Sequence, residues 1–468
     1  MTVSIAGTGI SSNYMNIARI VDAKILLGFA GRRDVSTALG IGFAAYFIYH
    51  AIQFDLSRVW PLAPTRDAAI LFDVSQRIFE LGDYPARLED GTAYSVFPYP
   101  PPAVVLFHWL GAGGPALTMA AWFTAMGAGL LTTLRASFAS EREEIRAAWL
   151  LIGAIALFVA DSPVSWDLRN ANSNLVMLGL VLAGYALIGR HPVAGGVMIG
   201  LSIALKLYSG LLLLWLLLSG SWRALLASVV TLMLFAVADP VLEFGVAGSV
   251  RLYLGWLEQL RIISDPQIHA ALAVAITGPP VISLGDAAMA LTGAGPLEST
   301  TRALVAAMWS IWIATILVYL RQAAKSFPVA LPSRAALADW MVLLLAPLPF
   351  SPWLEPHHAV PMLPVAMLFV LVALDERASQ LDRRIAVAAF LVLLLLASQT
   401  VNLPFRIRGI VILAQFVVAT LALGLLRPRL PAIAAKVSDR VIVRREEGEP
   451  SADAGADGEL REQRRLYE

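Results

Sequence analysis

Residues 193–220 read VAGGVMIGLSIALKLYSGLLLLWLLLSG, an apolar run interrupted by a single charge, Lys206. At about 1.5 Å of rise per residue a helix of this length exceeds a hydrocarbon core of about 30 Å. The run is either one long tilted helix or two short helices meeting at Lys206. That choice sets the topology of everything around it.

Flanking charge decides between them, because cytoplasmic loops carry an excess of Lys and Arg. Arg32 and Arg33, the segments 135–146, 189–192, 221–223, 321–334 and 375–384, and the tail after Arg427 all carry basic residues. They share one side only if 193–220 crosses twice and 101–112 does not cross. PPAVVLFHWLGA (101–112) then becomes an interfacial helix, opened by prolines that suit a first helical turn. Ten other apolar runs (36–54, 115–135, 147–161, 172–188, 224–240, 303–321, 336–350, 359–374, 385–400 and 409–427) complete a count of twelve spans with both termini cytoplasmic. The segments 55–114, 162–171, 241–302, 351–358 and 401–408 face outside, the last despite its Arg406 and Arg408.

Composition fits a polytopic helical membrane protein of all-α class. Hydrophobic residues make up 58% of the 468 and charged ones 15%, with mean hydropathy +0.70; soluble domains are about half apolar and a quarter charged. Zero cysteines exclude disulfides, haem thiolates and cysteine zinc sites. The net charge of +1 singles out no partner, and no nucleic acid is expected. Three regions follow: a cytoplasmic N-terminal segment 1–35, a membrane body 36–427 with a first outer loop 55–114 and a large outer loop 241–302, and a charged cytoplasmic tail 428–468. The first 30 residues lack the pattern of a cleavable signal peptide. Ile17–Phe29 reads as an amphipathic surface helix or a loose tail. No internal repeat is visible.

The outer segments hold the chemistry. In the first, Asp67 opens an amphipathic helix with Ile70, Leu71, Val74, Ile78 and Leu81 on one face and Asp73, Arg77 and Glu80 on the other. Asp67 is either a helix cap or a functional carboxylate. Tyr84, Tyr94 and Tyr99 are interfacial anchors or platforms for sugar rings. DSPVSWDLRNANSN (161–174) offers Asp167, Arg169, Asn170, Asn172 and Asn174, either a capped helix end or a phosphate- and hydroxyl-binding loop. Lys206 either snorkels to headgroups or binds an anion, since a lysine in an apolar span is a functional-site hypothesis by default. SPWLEPHH (351–358) carries Trp353, Glu355, His357 and His358. Adjacent histidines chelate metal poorly and no HExxH or HxxxH accompanies them, so hydrogen bonding to phosphate or sugar is preferred.

The order of these pieces resembles a known family. An aspartate-headed helix ends in Gly-Asp-Tyr-Pro (82–85). PYPPP then leads into an interfacial helix, and an Asn-rich loop, AGGVMIGLSIALKLYSGLLLLWLL and SPWLEPHH follow. The pattern is similar to the polyprenol-phosphate-sugar-dependent glycosyltransferases of family 87, in the GT-C superfamily, which include mycobacterial mannosyltransferases. It extends over about residues 36–427.

The resemblance implies an inverting membrane transferase, a hexosyltransferase with mannose as first candidate. It would take its sugar from a polyprenyl-phosphate donor and pass it to a lipid or glycan acceptor. The active site would face the outside of the plasma (inner) membrane. Asp67 would match the general base and Lys206 the donor-phosphate ligand. Asn172 and Asn174 would match the family's Gly-Gln-x-Asn segment, and Trp353 with His357 or His358 its late-loop pair. Ala171-Asn172 replaces Gly-Gln, and Leu207-Tyr208-Ser209 replaces a proline-containing turn. These departures bear on sugar and acceptor identity more than on fold.

The chemistry is coherent: a carboxylate base activates the acceptor hydroxyl, and Lys206, Arg169 and the histidines stabilise the leaving phosphate. No Asp-x-Asp pair lies in the outer segments, so neither metal nor cofactor is expected. A secondary transporter is the main alternative, predicting buried acids within spans and inverted repeats. A lipid-linked glycan flippase or ligase is another.

Overall fold

The computed structural model describes residues 28, 32–52, 67–84, 99–264, 284, 288, 291–292, 298–329, 331–351, 356–402 and 405–430. Its regular elements are helices, and no strand occurs among the described residues. In chain order the principal ones are α1 (Arg33–Ile52), α2 (Asp67–Leu81), α3 (Pro101–Gly111), α4 (Pro115–Ala136) and α5 (Trp149–Asn170). Then follow α6 (Asn174–Ile188), α7 (Pro192–Leu205), α8 (Leu211–Leu218), α9 (Trp222–Met233) and α10 (Asp239–Ser264). The last are α11 (Ser299–Ala323), α12 (Arg334–Leu345), α13 (Met362–Leu374), α14 (Gln380–Asn402) and α15 (Phe405–Leu426).

Six helical stretches among the described residues are long and apolar enough to cross a membrane, and three shorter apolar helices lie between them. Large side chains on their outer faces, such as Leu226, Leu317 and Leu425, are exposed. A water-soluble bundle would bury them; lipid is their solvent here. The chain is a multi-pass membrane protein.

The opening stretch resolves into two helices. α7 stops at Lys206, whose backbone is extended (φ −146°, ψ 114°), and a 3-10 turn over Leu207–Gly210 leads into α8. The glycines of AGGVMIG explain how α7 sits so deep. A Cβ at Gly196 would lie 2.3 Å from the Ala224 carbonyl oxygen, and one at Gly200 would lie 2.6 Å from that of Ser228. α7 therefore packs backbone to backbone on α9. Gly195 and Gly184 do the same between α7 and α6, and Gly129 and Gly179 between α4 and α6. Small residues serve this purpose where burial of apolar surface gives no drive between helices.

One end of the bundle is tied by ion pairs. Arg334 at the head of α12 holds Glu141 at 2.6 Å and Asp375 at 2.8 Å, and Asp375 also takes Arg377 at 2.9 Å. Nearby, Arg427 grips Asp339 through two nitrogens (2.7 and 2.9 Å) and donates to Ser326. Arg429 pairs with Asp382 at 3.1 Å. The basic segments 135–146, 321–334 and 375–384 thus meet at the same end as the start of the tail.

At the other end α2 lies on α3. Gln76 and His108 exchange two hydrogen bonds, Gln76 Nε2 to the His108 carbonyl (3.0 Å) and His108 Nδ1 to Gln76 Oε1 (2.7 Å). Phe79 stacks on the His108 ring. Burial lowers the His108 imidazole below its usual range, which suits a neutral ring under Phe79. On α2, Leu71, Phe72, Val74 and Ile78 are buried and Arg77 pairs with Asp73 at 3.1 Å. Leu81, expected on the buried face, is 66% exposed. It is the last residue of α2.

Two further expectations change. The outer segment 162–171 is not a loop: α5 runs unbroken through Pro163 to Asn170. Ser162, Ser165 and Asp167 are polar because they face the bundle interior, where they are buried. The span expected at 224–240 ends in a π-turn at Leu234–Ala238, and its helix continues past a kink at Gly245 (φ 67°, ψ 174°). The 41-residue stretch Trp222–Ile262 would be about 60 Å long if straight, twice a hydrocarbon core. The bend at a position favouring glycine redirects it, and its second half lies against the first loop, with Phe244 over Gly82 and Gly255 against Tyr84.

Candidate active site

Four sequence-distant segments converge at the end of the bundle opposite the ion-pair clasps. The foundation is Asp167, fully buried on the last turns of α5. Its carboxylate accepts from Asn174 Nδ2 (2.9 Å), the Leu175 backbone N–H (2.9 Å) and the Asn174 N–H (3.3 Å). A buried carboxylate needs such partners, and here they are the opening amides of α6. Asp167 thereby fixes the turn between α5 and α6.

That turn has an unusual backbone. Ala171 sits in the left-handed region (φ 50°, ψ 42°), the only described residue other than glycine to do so. The indole of Trp122 donates to the Ala171 carbonyl at 2.8 Å and secures it. Trp122, Phe72 and Phe107 form a mutual edge-on cluster with centroids 5.5–5.6 Å apart, and Tyr99 meets Phe107 at 5.7 Å. This aromatic box couples α2, α3 and α4 to the α5–α6 turn.

On the turn stands Asn172. Its Oδ1 accepts from Lys206 Nζ (3.1 Å), Asn174 Nδ2 (2.9 Å) and the Ser173 N–H (2.7 Å). With the oxygen committed to donors, the amide nitrogen faces His357 Nε2 at 3.2 Å. An NH2 group donates, so Nε2 accepts and the ring holds its proton at Nδ1. Lys206 lies 5.4 Å from the centroid of the Tyr99 ring, a cation–π arrangement. Tyr99 in turn is fixed by Tyr84, whose hydroxyl donates to the Tyr99 carbonyl at 2.8 Å, and its own hydroxyl lies 3.4 Å from Ser173 Oγ. Tyr208, just after the lysine, donates to Asn174 Oδ1 at 3.0 Å.

The structure therefore brings together Tyr99, Asn172, Asn174, Lys206 and His357. Lys206 is only 8% exposed, so it does not snorkel to headgroups. His358 is half-buried beside His357, ring centroids 4.5 Å apart. Arg169 donates from its Nε to His50 Nδ1 on α1 at 3.2 Å. Asp67 opens α2, and its side chain lies outside what is described. So do Trp353, Glu355, Tyr94, and the side chains of Arg406 and Arg408. Among the described residues no three His, Asp or Glu side chains are grouped as a metal site.

Three members of the site are not singled out by the sequence. Asp167 reads there only as part of an outer loop; its signal is an Asp placed seven residues before Asn174, on the other side of a turn. Tyr208 reads as a departure from a proline-containing turn, although a hydroxyl beside Lys206 in an apolar run calls for a partner. Trp122 lies in a span and gives no signal in the chain alone.

Comparison with known proteins adds the following. The model of Glycosyltransferase family 87 matches residues 97–347, more than half of the chain. No curated protein matches it. Two solved structures are similar, both of ArnT from Cupriavidus metallidurans. One is in the apo state (16% identity, TM-score 0.34) and one bound to undecaprenyl phosphate (15% identity, TM-score 0.34). Each alignment covers 83% of this chain and 78% of that chain.

Proposed function

Because the chain belongs to glycosyltransferase family 87, we propose that it moves a sugar, mannose first among candidates, from a polyprenyl-phosphate donor to a lipid or glycan acceptor. The observation that carries this reading is Lys206, a buried cation at a helix break, held between Asn172 and Tyr99. A fixed ammonium with an aromatic wall beside it suits a sugar phosphate: the cation meets the phosphate, and the ring meets the C–H face of the sugar.

In the proposed reaction Asp67 removes the acceptor's hydroxyl proton. The acceptor oxygen bonds to the anomeric carbon as the bond from that carbon to the phosphate oxygen breaks on the opposite face, so the configuration inverts. Polyprenyl phosphate leaves with the bonding electron pair, its new charge stabilised by Lys206. His357 and His358 border the same site, and Asn172 and Asn174 set the lysine's position. No metal or cofactor is required in this scheme.

The same reading assigns the membrane sides. The ion-paired end is cytoplasmic, the Lys206 end faces outside the plasma (inner) membrane, and α7 and α8 cross as a pair, which gives twelve crossings. Residues 1–35 and 428–468 flank the 36–427 body on the cytoplasmic side.

The test uses purified protein with a panel of labelled polyprenyl-phosphate sugars and membrane-lipid acceptors. Wild type transfers one sugar with inversion and keeps its activity in chelator. Asp67→Asn folds but transfers at least 100-fold more slowly, the scale of a lost general base. Near-normal transfer by Asp67→Asn removes it as the base, and loss of activity in chelator overturns the metal-free scheme.

A further inference from the structure

We infer that α1 and α5 enclose a second polar site, a water-filled crevice lined by Tyr46, His50, Asp161 and Arg169 that takes the hydroxyl-bearing anionic head group of a membrane lipid. The starting observation is Asp161. It lies nine residues before the end of α5, a helix long and apolar enough to span the bilayer, and so about 14 Å below that end. Its side chain is exposed, and its carboxylate accepts the Tyr46 hydroxyl at 2.9 Å. An exposed carboxylate near mid-membrane does not face lipid; such groups line the bundle interior or a water-filled cavity.

The neighbours form a ladder on the same seam. Tyr46 and His50 are four residues apart on α1 and stack edge-on at 4.5 Å. Arg169, two helical turns above Asp161 on α5, reaches His50 at 3.2 Å. Tyr49 meets the other side of His50 at 5.0 Å. A carboxylate, a phenol and an imidazole are hydrogen-bonding partners for hydroxyls, and a guanidinium at the outer end suits a phosphate. Phe158, three residues before Asp161 and so only about 60° away round α5, is 70% exposed and marks where lipid borders the open side of the seam.

The inference rests on the glycosyltransferase reading only for the suggestion that the bound lipid is the acceptor. The crevice itself is testable without any transfer assay. The chain has no cysteine, so single cysteines can be placed without background. In intact proteoliposomes the Asp161→Cys variant should react with a membrane-impermeant anionic thiol reagent at least tenfold faster than Phe158→Cys. Tyr46→Cys, at the same depth, serves if Asp161→Cys does not fold. Enriching the vesicles in phosphatidylglycerol should slow labelling severalfold relative to an equal share of phosphatidylserine, which gives the same surface charge without the diol. Equal rates at 158 and 161, or no labelling at either Asp161→Cys or Tyr46→Cys, overturn the crevice. Labelling unaffected by the diol head group overturns the ligand. Loss of sugar transfer in the wild type, with the labelling pattern intact, refutes the acceptor assignment and leaves the crevice standing.

Discussion

At the scale of single residues, Asn172 is the hinge of the site because its two amide atoms do different work. Its oxygen accepts from Lys206, Asn174 and the Ser173 backbone, while its nitrogen faces His357. Removing the amide leaves a buried ammonium short of an acceptor, a larger penalty than the loss of one hydrogen bond. Asn172→Ala should therefore lower kcat/KM about 100-fold, equivalent to about 2.7 kcal/mol of transition-state stabilisation. Arg169→Ala, whose Nε is bonded to His50 on α1, should leave donor KM within about twofold. Steady-state kinetics with varied donor separate the two, and a similar donor KM effect in both variants would contradict the partition. Asn172 and Lys206 were legible as polar groups in a greasy setting. Ala171 was legible only as a departure from glycine in the related family. Its left-handed backbone explains why glycine suits that position, since a side chain there costs about 1 kcal/mol. Nothing in the local sequence announces that the helix must end with that twist.

At the scale of elements, the broken helix pair is set by glycines as much as by the lysine. Gly196 and Gly200 let α7 touch the α9 backbone, and a methyl group at either would fall within 2.6 Å of a carbonyl oxygen. Gly196→Ala should push α7 outward and destabilise the protein by roughly 1–3 kcal/mol, the usual cost of overpacking, and raise donor KM as Lys206 moves with it. Gly42→Ala, with open space around it on α1, should change neither. Thermal unfolding in detergent with parallel kinetics checks both, and a neutral Gly196→Ala would mean that the α7–α9 contact does not position the lysine. Apolar runs located most helices because the lipid solvent demands unbroken spans. The end of α5 was misread because Pro163 and the polar DSPVSWD stretch imitate a loop. Its Ser162, Ser165 and Asp167 are buried against neighbouring helices, so they mark the bundle interior and not a loop.

At the scale of the whole molecule, charge ordering was legible in advance because it is a sum over many residues, whereas the pairings that enforce it are long-range and were not. Glu141, Arg334 and Asp375 are more than 40 residues apart from one another, yet they form one buried cluster. Burial alone raises the Asp375 carboxyl, but hydrogen bonds from Arg377 and the charge of Arg334 outweigh it and hold Asp375 below its ordinary range. A depressed carboxyl contributes stability that is complete above its unfolded value, near 4, and is lost as pH falls through the folded value. Asp375→Asn breaks the buried cluster and should cost about 3 kcal/mol at pH 7. The gap in thermal stability between wild type and Asp375→Asn should stay constant from pH 7 to about 5, then close below about 4 as the wild-type carboxylate takes up its proton. A gap that persists undiminished at pH 3 would show that the variant acts through packing and not through charge. In sealed right-side-out vesicles, acidifying only the outside to pH 4 should leave the gap intact, since the clasp lies at the end assigned to the cytoplasm. Closure under external acid alone would invert the proposed topology and with it the side on which Lys206 meets its donor.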